Sequence, residues 1–351
     1  MTKLLSSLKV GDLILPNRII MAPLTRARAA NAGRVPNDLM AEYYGQRASA
    51  GLILTEATCV SPSGVGYANT PGIWSEEQVE GWKKTTKTVH DKGGRIFMQL
   101  WHVGRISDPE LLNGQLPVAP SAIKPKGHVS LLRPERAYVT PRALETNEIP
   151  GIVADYKKGA ENAKRAGFDG VEIHAANGYL IDQFLQDGTN KRTDLYGGSI
   201  QNRARLLLEV VDAAIEVFGA GRVGVHLAPR GDSHDMHDSN RLETFGYVAE
   251  QLGKRKVAFI FTREYSGVDS LSAEIKKRFG GVLIANEKMS REQAEALIEK
   301  GEADAVAWGV QFIANPDLVE RFSKNAPLNE PNYSTFYADG ASGYTDYPAL
   351  S

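Results

Sequence analysis

One cysteine, Cys59, is present in 351 residues, so the chain can form no disulfide within itself, and a reducing compartment suits its lone thiol. Long apolar runs are also missing: nowhere do about 18 consecutive apolar residues occur, which leaves no candidate membrane span. The opening MTKLLSSLKVGDLILP is too weakly apolar for the core of a signal peptide, and the expected location is cytoplasmic. Neither sign of charge is in excess, with 41 Lys+Arg against 42 Asp+Glu, so no basic face for nucleic acid or anionic lipid is implied and a small-molecule partner is favoured. Monomer and homodimer are equally compatible with such a composition. The chain also lacks internal repeats, a GxSxG elbow, a phosphate-binding P-loop and paired cysteines.

What is present is a rhythm. A hydrophobic content of 42% suffices for one large domain spanning residues 1–351. Eight β-rich runs punctuate it: Arg18 to Leu24, Gly51 to Thr58, Arg95 to Trp101, Gly170 to Ala175, Arg222 to Ala228, Val257 to Glu264, Gly281 to Asn286 and Ala303 to Gly309. Their near-continuous hydrophobicity is that of parallel strands covered by helices on the outside. Helix-start signals lie between them: Ser75 with Gln78 and Ser290 with Gln293 have capping-box spacing, and Asn315-Pro316-Asp317 supplies a cap, a first-turn proline and an acidic first turn. Eight strand–helix units predict an α/β fold, a single (β/α)8 TIM barrel. The amino-terminal segment is expected to form a hairpin over the barrel floor. Between the third strand and its helix, the proline-rich stretch from Val103 to Ala143 reads as a lid insertion of roughly 40 residues. The aromatic tail YSTFYADGASGYTDYPAL is expected to pack on the barrel.

Active sites of such barrels lie where strands exit at their carboxyl ends. The residues placed there are Thr25, Ala57, Thr58, Gln99, Trp101, His102, His174, His226, Arg263, Glu264, Asn286 and Gly309. At the fourth exit, His174 and Asn177 have the spacing to donate hydrogen bonds to one oxygen, with Tyr179 two residues on as a proton donor. The same spacing also suits two side chains that cap the next helix beside a packed tyrosine. His102, His174 and His226 are three imidazoles at strand exits, but no carboxylate spacing accompanies them, so no metal is expected.

Several stretches carry more than spacing. APLTRARA at Ala22 to Ala29, MAEYYGQRASAGLILTEAT at Met40 to Thr58, QLWHVGR at Gln99 to Arg105, the run GFDGVEIHAANGYLIDQFLQDGTNKRTDLYGGSIQNRARLLLEV, IANPDL at Ile313 to Leu318 and GYTDYP at Gly343 to Pro348 together resemble the bacterial old yellow enzymes, FMN-dependent ene-reductases of the N-ethylmaleimide reductase type. The resemblance covers nearly the whole chain. It implies noncovalent FMN, reduced by NADPH or NADH and reoxidised by an alkene that carries a carbonyl, nitro or similar activating group. In that reading His174 and Asn177 polarise the activating oxygen, hydride reaches the β carbon from flavin N5, and Tyr179 protonates the α carbon. The resemblance places Ala22, Pro23, Leu24, Thr25, Ala57, Gln99, His226, Asn286, Gly309 and Val310 around the cofactor, and Tyr67, Trp101 and Tyr344 as aromatic walls of the substrate pocket. The polar cluster of Asn190, Arg192, Asp194, Tyr196, Asn202 and Arg203 reads as a structural network.

Two positions depart from the pattern. His226 stands where most of the family has an arginine facing the flavin N1 and O2 edge, and Val310 where an arginine grips the phosphate. Lys288, Arg263 and Arg230 are the candidate substitute charges, beside a backbone cradle from Asn286, Glu287, Lys288, Gly309 and Val310. The loop PRGDSHDMHDSN after the fifth strand is unusually polar and is expected over the pocket rim. Two other functions stay in view: a barrel that only binds ligands, suggested by His226 and Val310, and a flavin-free lyase or isomerase, for which fold analogy is the support.

Overall fold

The computed structural model describes residues 2–265, 267 and 269–350. The eight expected runs form eight parallel strands: Ile19–Met21, Leu52–Leu54, Ile96–Trp101, Gly170–Ala175, Val223–Leu227, Phe259–Arg263, Val282–Asn286 and Ala305–Trp308. They pair in chain order, and the eighth pairs with the first through Trp308 and Met21, so the sheet closes on itself with no free edge. Helices on the outside complete the (β/α)8 barrel.

Two apolar layers account for the near-continuous hydrophobicity of the strands. Side chains such as Ile20, Leu52, Phe97, Phe259 and Ile284 point inward and fill the barrel, while Ile19, Ile53, Val171, Val225 and Ile260 point outward against the helices. The amino-terminal hairpin, Leu8–Val10 with Leu13–Leu15, closes the floor by adding Val10 and Leu15 to the inner layer. Filling one end in this way leaves the carboxyl ends of the strands as the open end.

Ser75 and Ser290 form reciprocal capping boxes with Gln78 and Gln293 at the starts of Glu76–Asp91 and Arg291–Glu299. The Asn315-Pro316-Asp317 signal behaves differently. A helix does begin at Leu318, but Asp317 makes no side-chain cap; its carboxylate instead accepts from Arg321 and from the Leu350 amide, and Asn315 accepts from Asn329.

The insertion after the third strand holds the short parallel pair Val118–Ala119 and Arg142–Ala143. Its apolar residues Val103, Ile106, Leu112, Val129, Leu132 and Tyr138 form a separate small core against Tyr67 and Trp101. It therefore buttresses one wall of the open end, and none of its residues borders the cavity there.

Candidate active site

The fourth strand ends at Ala175, and the chain reverses at once. Asn177 and Gly178 both lie in the left-handed region, with φ of 58° and 78°. A Cβ at Gly178 would sit 2.7 Å from the Ser233 carbonyl and 2.8 Å from Met236, so only glycine fits this close approach. The turn is locked from below: the Gly178 amide donates to Asp182 at 2.9 Å, and Gln183 Nε2 donates to the Gly178 carbonyl at 2.7 Å. Burial pushes the Asp182 carboxyl up to about 7. The polar loop after the fifth strand braces the turn as well. His234 Nδ1–H donates to the Asn177 carbonyl at 2.6 Å, and Arg105 holds that loop by donating to the His234 carbonyl at 2.9 Å.

This turn carries His174, Asn177 and Tyr179 to one wall of a cavity of about 900 Å³ at the open end, within the roughly 300–1,000 Å³ usual for small-molecule and cofactor sites. Neither His174 nor Asn177 caps the following helix, Leu180–Leu185, whose first turn has no side-chain cap. Ala22, Pro23, Leu24 and Thr25 from the first strand, with Ala57, Gln99, Trp101, His226, Asn286, Gly309 and Val310, line the same cavity. His102 lies elsewhere, bonded to the Gly104 amide and near Ser63, so the three imidazoles do not converge.

The floor is a buried polar chain. Gln99 Nε2 donates to Glu172 Oε2 at 2.7 Å and meets His226 Nδ1 at 3.1 Å. Since the amide nitrogen can only donate, Nδ1 accepts, and the neutral His226 ring carries its proton on Nε2. Burial, then the neighbouring His174, depresses His226 well below the usual imidazole range, and burial lowers His174 to about 3. Burial pushes Glu172 up to about 8. His226 Nε2 and His174 Nδ1 are both buried without a partner among the described residues, and the two rings stack at 5.0 Å. Two neutral imidazoles thus stand at the cavity with unused ring nitrogens, which the polar atoms of a bound group would satisfy.

Beyond the seventh strand, Glu287 and Lys288 have φ of 129° and 47°, a non-glycine turn that lays residues 286–290 along the cavity. Trp308 Nε1 ties this turn to the eighth strand by donating to the Met289 carbonyl at 2.9 Å. Gly309 follows, where a Cβ would come within 2.8 Å of Leu24, and the short helix Val310–Ala314 starts without a side-chain cap. Its uncapped amides beside the Glu287–Lys288 turn suit an anion. Of the three candidate charges, Arg230 is committed to Glu264 and Asp269, and Arg263 to Glu287 and Asn177. Lys288, lying over the Tyr265 ring, makes no salt bridge among the described residues and borders the cavity.

The aromatic walls divide. Trp101 borders the cavity. Tyr67 sits behind it, stacked on Trp101 at 5.5 Å, with its hydroxyl 2.9 Å from that of Tyr179. Tyr344 does not reach the cavity: fully buried, it stacks on Tyr43 at 4.1 Å under the guanidinium groups of Arg26 and Arg28. Two other tail residues, Tyr333 and Tyr337, border the cavity instead. Arg263, expected at the sixth strand exit, also borders the cavity, and Phe261, Met289 and Gln311 are further lining residues that strand-exit reasoning did not assign to the site. The polar cluster near residue 190 is structural, with Asn190 donating to the Phe184 and Tyr196 carbonyls and Arg203 bridging Leu185 and Asp238.

A polar open end with unused neutral donors, an anion-suited turn and a filled barrel beneath is the site of a barrel enzyme that holds a phosphate-bearing cofactor. Comparison with known proteins agrees. The model of the NADH:flavin oxidoreductase / NADH oxidase family matches residues 3–329. A Leishmania infantum protein described as a probable flavin mononucleotide-dependent alkene reductase is 43% identical over 359 residues, covering 99% of this chain and 97% of its own. Morphinone reductase in complex with tetrahydroNAD superposes with a TM-score of 0.95 at 50% identity, over 100% of this chain and 98% of that one. The old yellow enzyme homologue from Zymomonas mobilis gives 0.96 at 45% identity, over 99% and 100%. The chain belongs to the NADH:flavin oxidoreductase / NADH oxidase family. It is an FMN-dependent oxidoreductase that draws electrons from a nicotinamide dinucleotide.

Proposed function

We propose that the chain reduces carbon–carbon double bonds activated by a carbonyl, nitro or similar group, with NADPH or NADH as electron source. The observation that carries this is the meeting of His174, Asn177 and Tyr179 on one wall of the cavity. Bound in the cavity, FMN supplies the hydride. Its places would be the backbone of Ala22 to Thr25 and Ala57 for the ring system, Gln99 and His226 for the polar edge, and Asn286, Gly309, Val310 and Lys288 for the phosphate.

The chain's own residues do the rest. His174 is held neutral by burial and offers a ring N–H, and the Asn177 amide offers a second donor. Two donors on one carbonyl oxygen draw electron density from the alkene, and their effect grows as that oxygen gains charge in the transition state. Tyr179 keeps its phenol proton because burial raises it, so it can deliver that proton to the α carbon. The near-neutral charge of the chain supports a small molecule rather than nucleic acid as partner. The same proposal takes residues 1–351 as one domain, cytoplasmic, as monomer or homodimer; among the described residues no helix is long and apolar enough to cross a membrane.

The test is a visible spectrum of protein purified without added flavin, followed by anaerobic NADPH and then cyclohexenone. Bleaching by NADPH and return of colour with the enone supports the proposal. Bleaching without recovery overturns alkene reduction and leaves the flavin chemistry standing. A colourless chain that cannot be reconstituted brings forward the ligand-binding barrel.

A further inference from the structure

We propose that Arg263 is a positioning residue that orients the side-chain amide of Asn177, an inference that rests on Asn177 acting as a donor to the substrate oxygen. Arg263 ends the sixth strand and reaches sideways to the turn of the fourth. Its Nη1 donates to Asn177 Oδ1 at 3.1 Å, and its Nε donates to Glu287 Oε2 at 2.6 Å.

An asparagine amide has nearly the same shape when its oxygen and nitrogen are exchanged, so packing alone cannot choose between the two orientations. A neighbouring guanidinium can, because it has donors and no acceptor. Oδ1 must therefore face Arg263, and Nδ2 is left over. Nδ2 makes no hydrogen bond among the described residues, and Asn177 borders the cavity, so this amide nitrogen is the free donor of the turn. The Asn177 backbone is fixed separately by the bond from His234, which leaves the side-chain torsion as the remaining freedom.

Arg263 is itself anchored. The Glu287 side chain is 10% exposed and that of Arg263 42%, so the carboxylate sits in the wall and the guanidinium spans the mouth. The order of constraint runs from Glu287 in the strained turn, through Arg263, to Asn177. Without the cation, rotation of the amide would place Oδ1 toward the substrate oxygen, where two lone-pair-bearing atoms repel and one of the two donors is lost.

The probe is cyclohexanone, a saturated ketone that tests carbonyl binding without chemistry, as a competitive inhibitor of the holoenzyme in cyclohexenone reduction. Arg263→Met is expected to raise its inhibition constant about tenfold, the cost of one mispaired hydrogen bond. Arg263→Lys, which keeps a cation with only donors, is expected to recover most of that loss. Glu287→Gln, which loosens the anchor without touching Asn177, is expected to move the constant the same way by less. The deciding arm repeats Arg263→Met in an Asn177→Ala background, where it is expected to change the constant by less than about twofold. An equal effect in both backgrounds, or none in the native one, overturns the inference while leaving the donor role of Asn177 intact. If Asn177→Ala alone leaves the constant unchanged, the donor role has failed, and the inference with it.

Discussion

The hydroxyl of Tyr67 lies 2.9 Å from the hydroxyl of Tyr179, and the Tyr67 ring stacks on Trp101, whose edge meets the Tyr179 ring at 5.0 Å. Burial raises both phenols, and for Tyr179 the bond to Tyr67 acts in the opposite direction. When Tyr179 gives up its proton, its oxygen becomes charged, and a hydrogen bond to a charged group is worth about 1.5–3 kcal/mol. Tyr67→Phe is therefore expected to slow the alkene half-reaction by roughly 10- to 100-fold while leaving reduction by NADPH unchanged. Stopped-flow traces of the two half-reactions check this; equal slowing of both would mean that Tyr67 only packs.

The acid limb of the pH profile is expected to be flat. Burial lowers His174 to about 3, so the ring is neutral above roughly pH 4 and does not titrate near the ordinary imidazole value of about 6.5. kcat/KM for cyclohexenone measured from pH 5.5 to 8 should show no ionisation assignable to His174. A break near 6.5 that disappears in His174→Asn would contradict the neutral donor.

His226 offers a neutral N–H where an arginine would offer permanent charge. Since reduced flavin gathers negative charge, His226→Arg is expected to raise the reduction potential, on the order of 30 mV for each 1.4 kcal/mol gained in a two-electron couple. Anaerobic redox titration of both forms decides it, and an unchanged or lower potential in the variant would remove the idea.

Glu172 ties charge to stability. Its carboxyl is raised to about 8 in the fold and titrates near 4.5 in the unfolded chain, so the folded state binds more protons between those values. Its contribution is full below pH 4.5 and is lost as pH rises through 8, with a slope of up to about 1.4 kcal/mol per pH unit. Glu172→Gln is expected to flatten the fall in Tm between pH 6 and 9. Thermal unfolding across that range is the measurement, and parallel curves for the two proteins would argue against a protonated Glu172.

Tyr344 and Tyr337 should respond in opposite ways. The Tyr344 hydroxyl is buried with no partner among the described residues, so Tyr344→Phe removes an unsatisfied group and is expected to leave KM unchanged and stability equal or higher by up to about 1 kcal/mol. Tyr337 borders the cavity, and Tyr337→Ala is expected to raise KM for the alkene. Steady-state kinetics with a thermal melt on each variant separates them.

The barrel was legible in the sequence because its two apolar layers leave strands hydrophobic on both faces, and each of the eight runs contains one strand. The turn at Asn177 was legible for a similar local reason, since strand, asparagine, glycine and tyrosine follow one another directly. What escaped depends on long-range geometry. Tyr337 and Tyr344 stand seven positions apart in one aromatic tail, and spacing cannot tell which ring reaches the cavity and which stacks on Tyr43. Arg263 and Asn177 are 86 positions apart, so nothing local marks them as partners. Asn315 and Asp317 had the composition of a helix start, but Arg321 within the helix and tertiary partners at Asn329 and Leu350 engage their side chains instead.

The tail that carries Tyr333 and Tyr337 is held through its own carbonyl oxygens. Arg26 donates to the Gly343 carbonyl at 2.8 Å, Arg28 to Thr335 and Phe336 at 2.9 Å, and Arg321 to Pro348 at 2.9 Å. These bonds are to backbone, so they are indifferent to the residue types of the tail but depend on its length and path. Removing the tail from Tyr333 onward would take away acceptors of three buried guanidinium groups and strip the cavity of two of its aromatic rings. The tail is accordingly part of the cavity wall, and a deletion within it is expected to disturb the site together with the fold.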